Sequence, residues 1–234
     1  MLFKNPAEQV KPPRPPRKEI AILSKTEVAT LLRAAEGTPH YLPVLVAVTT
    51  GMRRGELLGL RWSDVDLKAA RLTVNQSLER VKGKTTFKSP KTSGSRRTIT
   101  LPALTVEALK EHRSQHPRIG AGELVFSHDG IPWDPDSLTK AFNRLIEETA
   151  VRRITFHGLR HTHISHQLMD GVHIKIVSER AGHASVSTTL SVYAAFVPNM
   201  QADAAAGVDT WLRQALADKV GGKSVAIRPF PRNH

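Results

Sequence analysis

Cysteine is absent from the 234 residues. That removes disulfides, thiol nucleophiles and thiolate metal sites from consideration, and it fits a reducing, cytoplasmic setting. No apolar run approaches the roughly 18 residues that a membrane-spanning helix requires. The N-terminus lacks a basic stretch followed by an apolar one, so secretion is not expected either. No HExxH motif is present, and no cluster of carboxylates of the kind a two-metal nuclease needs. The segment GGKS near the end resembles a phosphate-binding loop, but Ala217 stands where its first glycine belongs and no strand precedes it. Acidic residues are in deficit, 21 against 34 lysines and arginines, which leaves a formal net charge of +13. Tyrosine occurs only twice, at positions 41 and 193.

The charge deficit points to a polyanionic partner. The basic residues run through the body of the chain, and no basic amphipathic helix with an aromatic face is visible. Nucleic acid is therefore favoured over a membrane surface.

The first residues, NPAEQVKPPRPPRKEI, are too rich in proline for a regular helix or a central strand, and residues 1–19 read as an extended linker. A linker in that place suggests one domain of a longer protein. Ser24 and Glu27 in SKTE form a capping box that opens a helix. YLPVLVAVTT is a strongly apolar helix stopped by Gly51, with Tyr41 packing in it. RRGELLGLRW continues as a short helix that buries Leu57, Leu58 and Leu60. RLTVNQSLER, TTFKSPK and RRTITLP alternate in the manner of strands and predict a small antiparallel sheet. A helix follows from about Pro102 to His116, then a short strand at GELVF. Further helices are expected from Asp134 and near 157–170, 173–181, 186–195 and 199–217. The expected class is mainly α with a small antiparallel β-sheet (α+β), with a folded domain over 20–217 and a disordered tail over 218–234.

Four stretches carry chemistry-bearing residues, and each has a plain reading beside the functional one. In TTGMRRGELLGLRW, Arg53 opens a helix and can clamp a phosphate with Glu56 holding it, or the two form an ordinary surface pair. In FHGLRHTHISHQL, His157, Arg160 and His161 share a helix face while His163 and His166 point away. That arrangement suits an anion better than a metal, unless the histidine is simply a satisfied buried one. In ERAGHASVSTTLSVYAAF, Gly182 caps a helix, His183 sits at the turn, and Tyr193 is either core packing or a nucleophile. Lys91, in KSPKTSGSRR, lies on a hairpin tip and is either solvated surface or a mobile general acid.

In chain order the pattern reads TGxRxxE, a hairpin lysine, HxLRHT, then GHxSxxTT and a tyrosine. From about Lys25 to Phe196 it resembles the tyrosine recombinase (phage integrase) family. The resemblance implies that family's catalytic-domain fold and an active site of Arg53, Lys91, His157, Arg160, His183 and Tyr193, with Glu56 in support. It implies site-specific cleavage and rejoining of double-stranded DNA through a 3′-phosphotyrosine, without cofactor or metal. Two guanidiniums stabilise the charge on phosphorus, His183 adds a donor, His157 serves as a base, and Lys91 protonates the leaving 5′ oxygen.

Val208, Trp211, Leu212 and Leu216 form an apolar stripe at helical spacing that either packs on the chain's own core or, as the family's tetramer on DNA implies, docks on a neighbouring protomer. Accessory DNA-bending or directionality proteins are possible partners, in the cytoplasm and on the nucleoid. The linker favours integration and excision of a phage or mobile element. Two departures stand out. Three residues, not two, separate the threonine pair from Tyr193, and the N-terminal core-binding domain is absent. That absence keeps alive the alternative of a catalytically silent DNA-binding fragment. Relaxation by same-strand resealing, in the manner of a type IB topoisomerase, is the other alternative.

Overall fold

The structure is a computed structural model. It describes residues 20–81, 83–89, 96–115, 120, 122–128, 130–197 and 204–217, with the backbone alone for 201–203. The linker and tail readings, and Lys91, lie outside the described residues. The chain divides into two units, one ending at Phe196 and the other beginning at Val197.

In the first unit, α1 (Lys25–Ala35) starts with the capping box expected from SKTE: Ser24 Oγ accepts from Glu27 N, and the Glu27 carboxylate accepts from Ser24 N. Its buried Leu31 and Ala35 face α2 (Tyr41–Thr50). That helix is apolar on nearly every side and lies inside, which is what an all-round hydrophobic helix must do. Tyr41 packs at the core margin, as expected. Gly51 ends α2 in the left-handed region, at φ +67°. A short α3 (Arg54–Leu58) follows, with Leu57 and Leu58 fully buried.

The α+β class holds, but the strands do not form one sheet. β1 (Val65–Asp66), β2 (Arg71–Val74) and β5 (Arg97–Thr100) make a three-stranded antiparallel sheet, whereas β3 (Ser77–Val81) and β4 (Lys84–Lys88) pair only with each other. Across β2 and β5, Leu72 faces Ile99 and Val74 faces Arg97. Strand alternation therefore places the Arg97 side chain on the same inward face as Ile99. GELVF is not a strand of a sheet. Its backbone joins the segment around Trp62: Trp62 N donates to Glu123 O, Val125 N donates to Leu60 O, and a single bridge links Arg61 to Leu124. The strands after it are β6 (Ser127–His128) and β7 (Ile131–Pro132). The reason for both differences is that pairing partners are chosen over long range, where local alternation carries no information.

The remaining helices are α4 (Ala103–Gln115), α5 (Pro135–Glu148), α6 (Phe156–Met169), α7 (Ile174–Ala181) and α8 (Val186–Tyr193). Asp134 caps α5 by accepting from Ser137 N, and Thr155 caps α6 by accepting from Gly158 N. α6 packs against α2, so a large cluster that includes Leu23, Val46, Trp62, Phe126, Phe142 and Leu159 is buried around them. A smaller cluster of Ile164, Leu168, Val177, Ala181 and Tyr193 lies between α6, α7 and α8.

The second unit holds α9 (Gln201–Ala217), on which Val208, Trp211, Leu212 and Leu216 are all exposed. No helix among the described residues is long and apolar enough to cross a membrane.

Gly51 is required twice over. Its φ is one that L residues rarely adopt, and a Cβ there would meet the His163 ring at 2.6 Å. Gly37 has a similar φ of +73° but open space around it. Gly37→Ala is expected to lose about 1 kcal/mol, the ordinary left-handed penalty, and Gly51→Ala roughly twice that or more. Urea denaturation of the two variants checks this; equal losses would mean that the His163 contact does not constrain the turn.

Candidate active site

The turn after α2 delivers Arg53. It caps α3 from an extended conformation, and its Nη1 donates to Glu56 Oε1 at 2.8 Å. Glu56 is buried and also accepts from the Arg53 backbone N at 2.9 Å. The expected Arg53–Glu56 pair is thus present, but it is not a surface pair. Arg97, from β5, donates Nη1 and Nη2 to the two Glu56 oxygens at 3.1 and 2.8 Å, and its Nε donates to Arg180 O at 2.6 Å. Burial alone would push the Glu56 carboxyl up. The hydrogen bonds and charge of Arg97, with those of Arg53, outweigh it and hold the carboxyl at about 2. The sequence reading missed Arg97, because only the β2–β5 register turns its side chain inward.

Arg160 projects from α6 and is 2 % exposed. Its Nη1 donates to Gly51 O and its Nη2 to Ala181 O, both at 2.7 Å. It therefore ties the turn after α2 to the end of α7. Burial and the nearby charges of Arg53 and Arg97 lower its pKa to about 10, with Glu56 pulling the other way. Arg53 Nη2 reaches Gly182 O at 3.3 Å, so both arginines meet at the α7–α8 turn. Gly182 caps α7 at φ +66°, and a Cβ there would lie 2.7 Å from Arg97 Nη1. His183 follows, with Nδ1 2.8 Å from Thr189 Oγ1.

Tyr193 ends α8. Its ring is 2 % exposed, packed in the smaller core cluster and stacked on His183 with centroids 6.4 Å apart. The two readings of this residue are therefore compatible: the ring packs as core and the hydroxyl faces polar groups. Its Oη lies 2.6 Å from His161 Nδ1. The residue in contact with the tyrosine hydroxyl is thus His161, not His157, which packs edge-on against the His161 ring at 4.9 Å. The motif FHGLRHT contained the signal: His161 stands four residues after His157 on the same helix face.

Burial raises the Tyr193 phenol to about 12, against the pull of Arg160 and Arg53. Burial first, and the charges of neighbouring groups with it, lower His161 and His183 to about 4. His157 is lowered for the same reasons.

His163 and His166 turn away, as expected. His163 Nδ1–H donates to Val48 O at 2.9 Å, and His166 Nε2–H donates to Leu23 O at 2.8 Å. Among the described residues, no group of three or more histidines, cysteines or carboxylates is placed to hold a metal ion. Of the expected site residues, Arg53, Glu56, His157, Arg160, His183 and Tyr193 come together, while Lys91 is not among the described residues.

The sequence profile of the phage integrase family matches residues 21–199. A XerC-like tyrosine recombinase of Caldanaerobacter subterraneus subsp. tengcongensis is 32% identical over 230 residues, covering 87% of this chain and 59% of its own length. An integrase of Staphylococcus phage L54a is 31% identical over 162 residues, covering 64% of this chain and 46% of the phage protein. The integrase of transposon Tn1549, solved in complex with circular intermediate DNA, shares the fold with a TM-score of 0.66. It is 23% identical, over 84% of this chain and 68% of that one. The chain spans about half the length of the curated relatives it matches.

Three histidines of this region, His161, His163 and His183, are held neutral with values near 4. In the unfolded chain they titrate near 6.5. Between those values the unfolded chain binds more protons, so stability is fully present above pH about 6.5 and falls as pH drops toward 4. Glu56 adds a separate loss that begins only below its unfolded value of about 4.3. Urea denaturation at pH 7.5, 6 and 5 is expected to show the midpoint dropping across this series. A constant midpoint would show that the histidines are not held neutral.

Proposed function

The chain belongs to the phage integrase, or tyrosine recombinase, family, and on that premise we propose that it is the catalytic part of a site-specific DNA recombinase. It cleaves one strand of double-stranded DNA with Tyr193, holds the strand as a 3′-phosphotyrosine, and passes it to a new 5′-hydroxyl. The observation that carries this reading is the convergence of Arg53, Arg160, His157, His183 and Tyr193 from separate segments on one cationic site. Three guanidiniums (Arg53, Arg97, Arg160) stand there with the Glu56 carboxylate, and the charges of Arg160 and Arg53 act directly on the tyrosine.

Attack on a phosphodiester places extra negative charge on the two non-bridging oxygens. Arg53 and Arg160 supply charge-assisted donors to them, in a site whose dipoles are already fixed. Arg160 also donates to Gly51 O and Ala181 O, so its plane is set before substrate arrives. Glu56 and Arg97 keep Arg53 in place. His183, oriented by Thr189, and His157 add donors. Lys91 protonates the leaving 5′ oxygen.

The net charge of +13 suits a DNA partner. The exposed stripe of α9, at Val208, Trp211, Leu212 and Leu216, suits docking on a second protomer within a tetramer. Residues 20–217 form the catalytic region and 1–19 the linker from a core-binding domain. Relatives named for a phage and a transposon favour integration and excision of a mobile element, on intracellular DNA and with accessory proteins assisting.

Supercoiled plasmid in EDTA, quenched with SDS, is expected to yield relaxed DNA and a covalent protein–DNA band with the wild type, and neither with Tyr193→Phe. Adducts surviving in that variant would assign the nucleophile elsewhere. Truncation after Phe196 is expected to abolish higher-order complexes on DNA in native gels and leave monomeric binding intact. Unchanged assembly would remove α9 from the interface.

A further inference from the structure

Tyr193 must lose a proton to attack, and its surroundings are unfavourable for free ionisation. The ring lies in an apolar cluster, and the hydroxyl is pushed toward 12. Among the described residues, the basic atom in hydrogen-bond contact with it is His161 Nδ1, at 2.6 Å. The imidazole stands four residues beyond His157 on α6, so the helix itself fixes the ring against α8. His161 is only partly buried. It also lines a cavity of about 530 Å³, together with Asn143, Arg153, Thr155 and Gly158; Tyr193 is not among the lining residues. The ring therefore contacts both the tyrosine hydroxyl and a cavity with polar lining.

We propose that His161 is the general base of the reaction, taking the Tyr193 proton as the tyrosine attacks phosphorus. The proposal rests on the recombinase reading given above and refines it by moving the base from His157 to its neighbour. In the step, the Oη–H bond breaks and its proton passes to His161 Nδ1. The phenolate oxygen forms the bond to phosphorus, and the bond from phosphorus to the 5′ oxygen breaks. The leaving oxygen receives a proton from Lys91. On religation the incoming 5′-hydroxyl gives up its proton to that group, and the imidazolium returns its own to Oη.

The groups facing His161 are His157 and Arg160 on its own helix, Tyr193 on α8, His183 at the α7–α8 turn, and Arg153 across the cavity. The cations among them disfavour an imidazolium in the empty site. A bound phosphodiester brings negative charge against the same arginines and raises the proton affinity of the ring when it is needed. His183 stacks on the tyrosine ring, and its Nδ1 is engaged with Thr189. His157 contacts the His161 ring rather than the tyrosine oxygen.

The test uses the full chain on supercoiled plasmid in EDTA, with the initial rate of SDS-trapped adduct measured from pH 6 to 9. His161→Asn places an amide near Nδ1 that hydrogen-bonds but does not titrate. His161→Ala, assayed with and without free imidazole, is a second variant whose rescue needs no intact side chain. Circular dichroism confirms that each is folded.

The wild-type rate is expected to be nearly constant above pH 7. His161→Asn is expected to be at least about 100-fold slower at pH 7, the lower end of what a positioned base contributes. Its rate should rise about tenfold per pH unit, because the phenol must then ionise unaided. Imidazole is expected to restore part of the His161→Ala rate. His157→Gln is expected to be slower but to keep the flat profile. A flat profile for His161→Asn within about threefold of the wild type, or a His157→Gln profile that turns steep, would overturn the proposal and leave the recombinase reading standing. Absence of any Tyr193-dependent adduct from the wild type would overturn that reading, and the proposal with it.

Discussion

One buried carboxylate organises the site. Glu56 accepts from the Arg53 backbone and from the guanidiniums of Arg53 and Arg97, and so joins the turn after α2, the helix α3 and the strand β5. A carboxylate stripped of water is costly unless every lone pair is used, and here the two arginines use them. Arg97 extends the network through Arg180 O to α7, and Arg53 reaches Gly182 O. Removing Glu56 would leave like charges facing one another in a partly dry site. The placement of Arg53 and Arg97 thus derives from one shared carboxylate.

Around that core, two glycines set the spacing. Gly51 and Gly182 both adopt left-handed φ, and both lie against side chains that leave no room for a Cβ, His163 in one case and Arg97 in the other. The carbonyls of Gly51 and Gly182 themselves, with that of Ala181, are the ones that Arg160 and Arg53 grasp. Helix caps here act as anchor points for guanidiniums, which is why two turns far apart in the chain end at one place. The excess of positive charge that results is unfavourable for an empty site and favourable for one that holds a phosphodiester.

Much of this was legible without coordinates, and the legible part was local. The capping box at Ser24, the stops at Gly51 and Gly182 and the Asp134 cap each depend on a few adjacent residues. The grouping of Arg53, Arg160, His157, His183 and Tyr193 was readable as an ordered motif, although Tyr193 taken alone read more readily as packing than as chemistry. Arg97 was not legible. An arginine in RRTITLP looks like any exposed strand residue until the pairing of Val74 with Arg97 turns it inward. The division of the strands into separate sheets was hidden for the same reason.

The boundary between the two kinds of information is set by range. The sequence by itself determined the helices, their caps, the positive charge and the set of reactive residues, because these follow from periodicity, backbone sterics and composition. Only the tertiary structure decided that Glu56 is shared by Arg53 and Arg97. Only it decided that Arg160 spans two carbonyls, and that the tyrosine hydroxyl meets His161 and not His157. The last of those contacts depends on how α6 and α8 are rotated against each other. A rotation of that kind results from the packing of Ile164, Leu168, Val177 and the tyrosine ring taken together, and no single stretch of the chain encodes it.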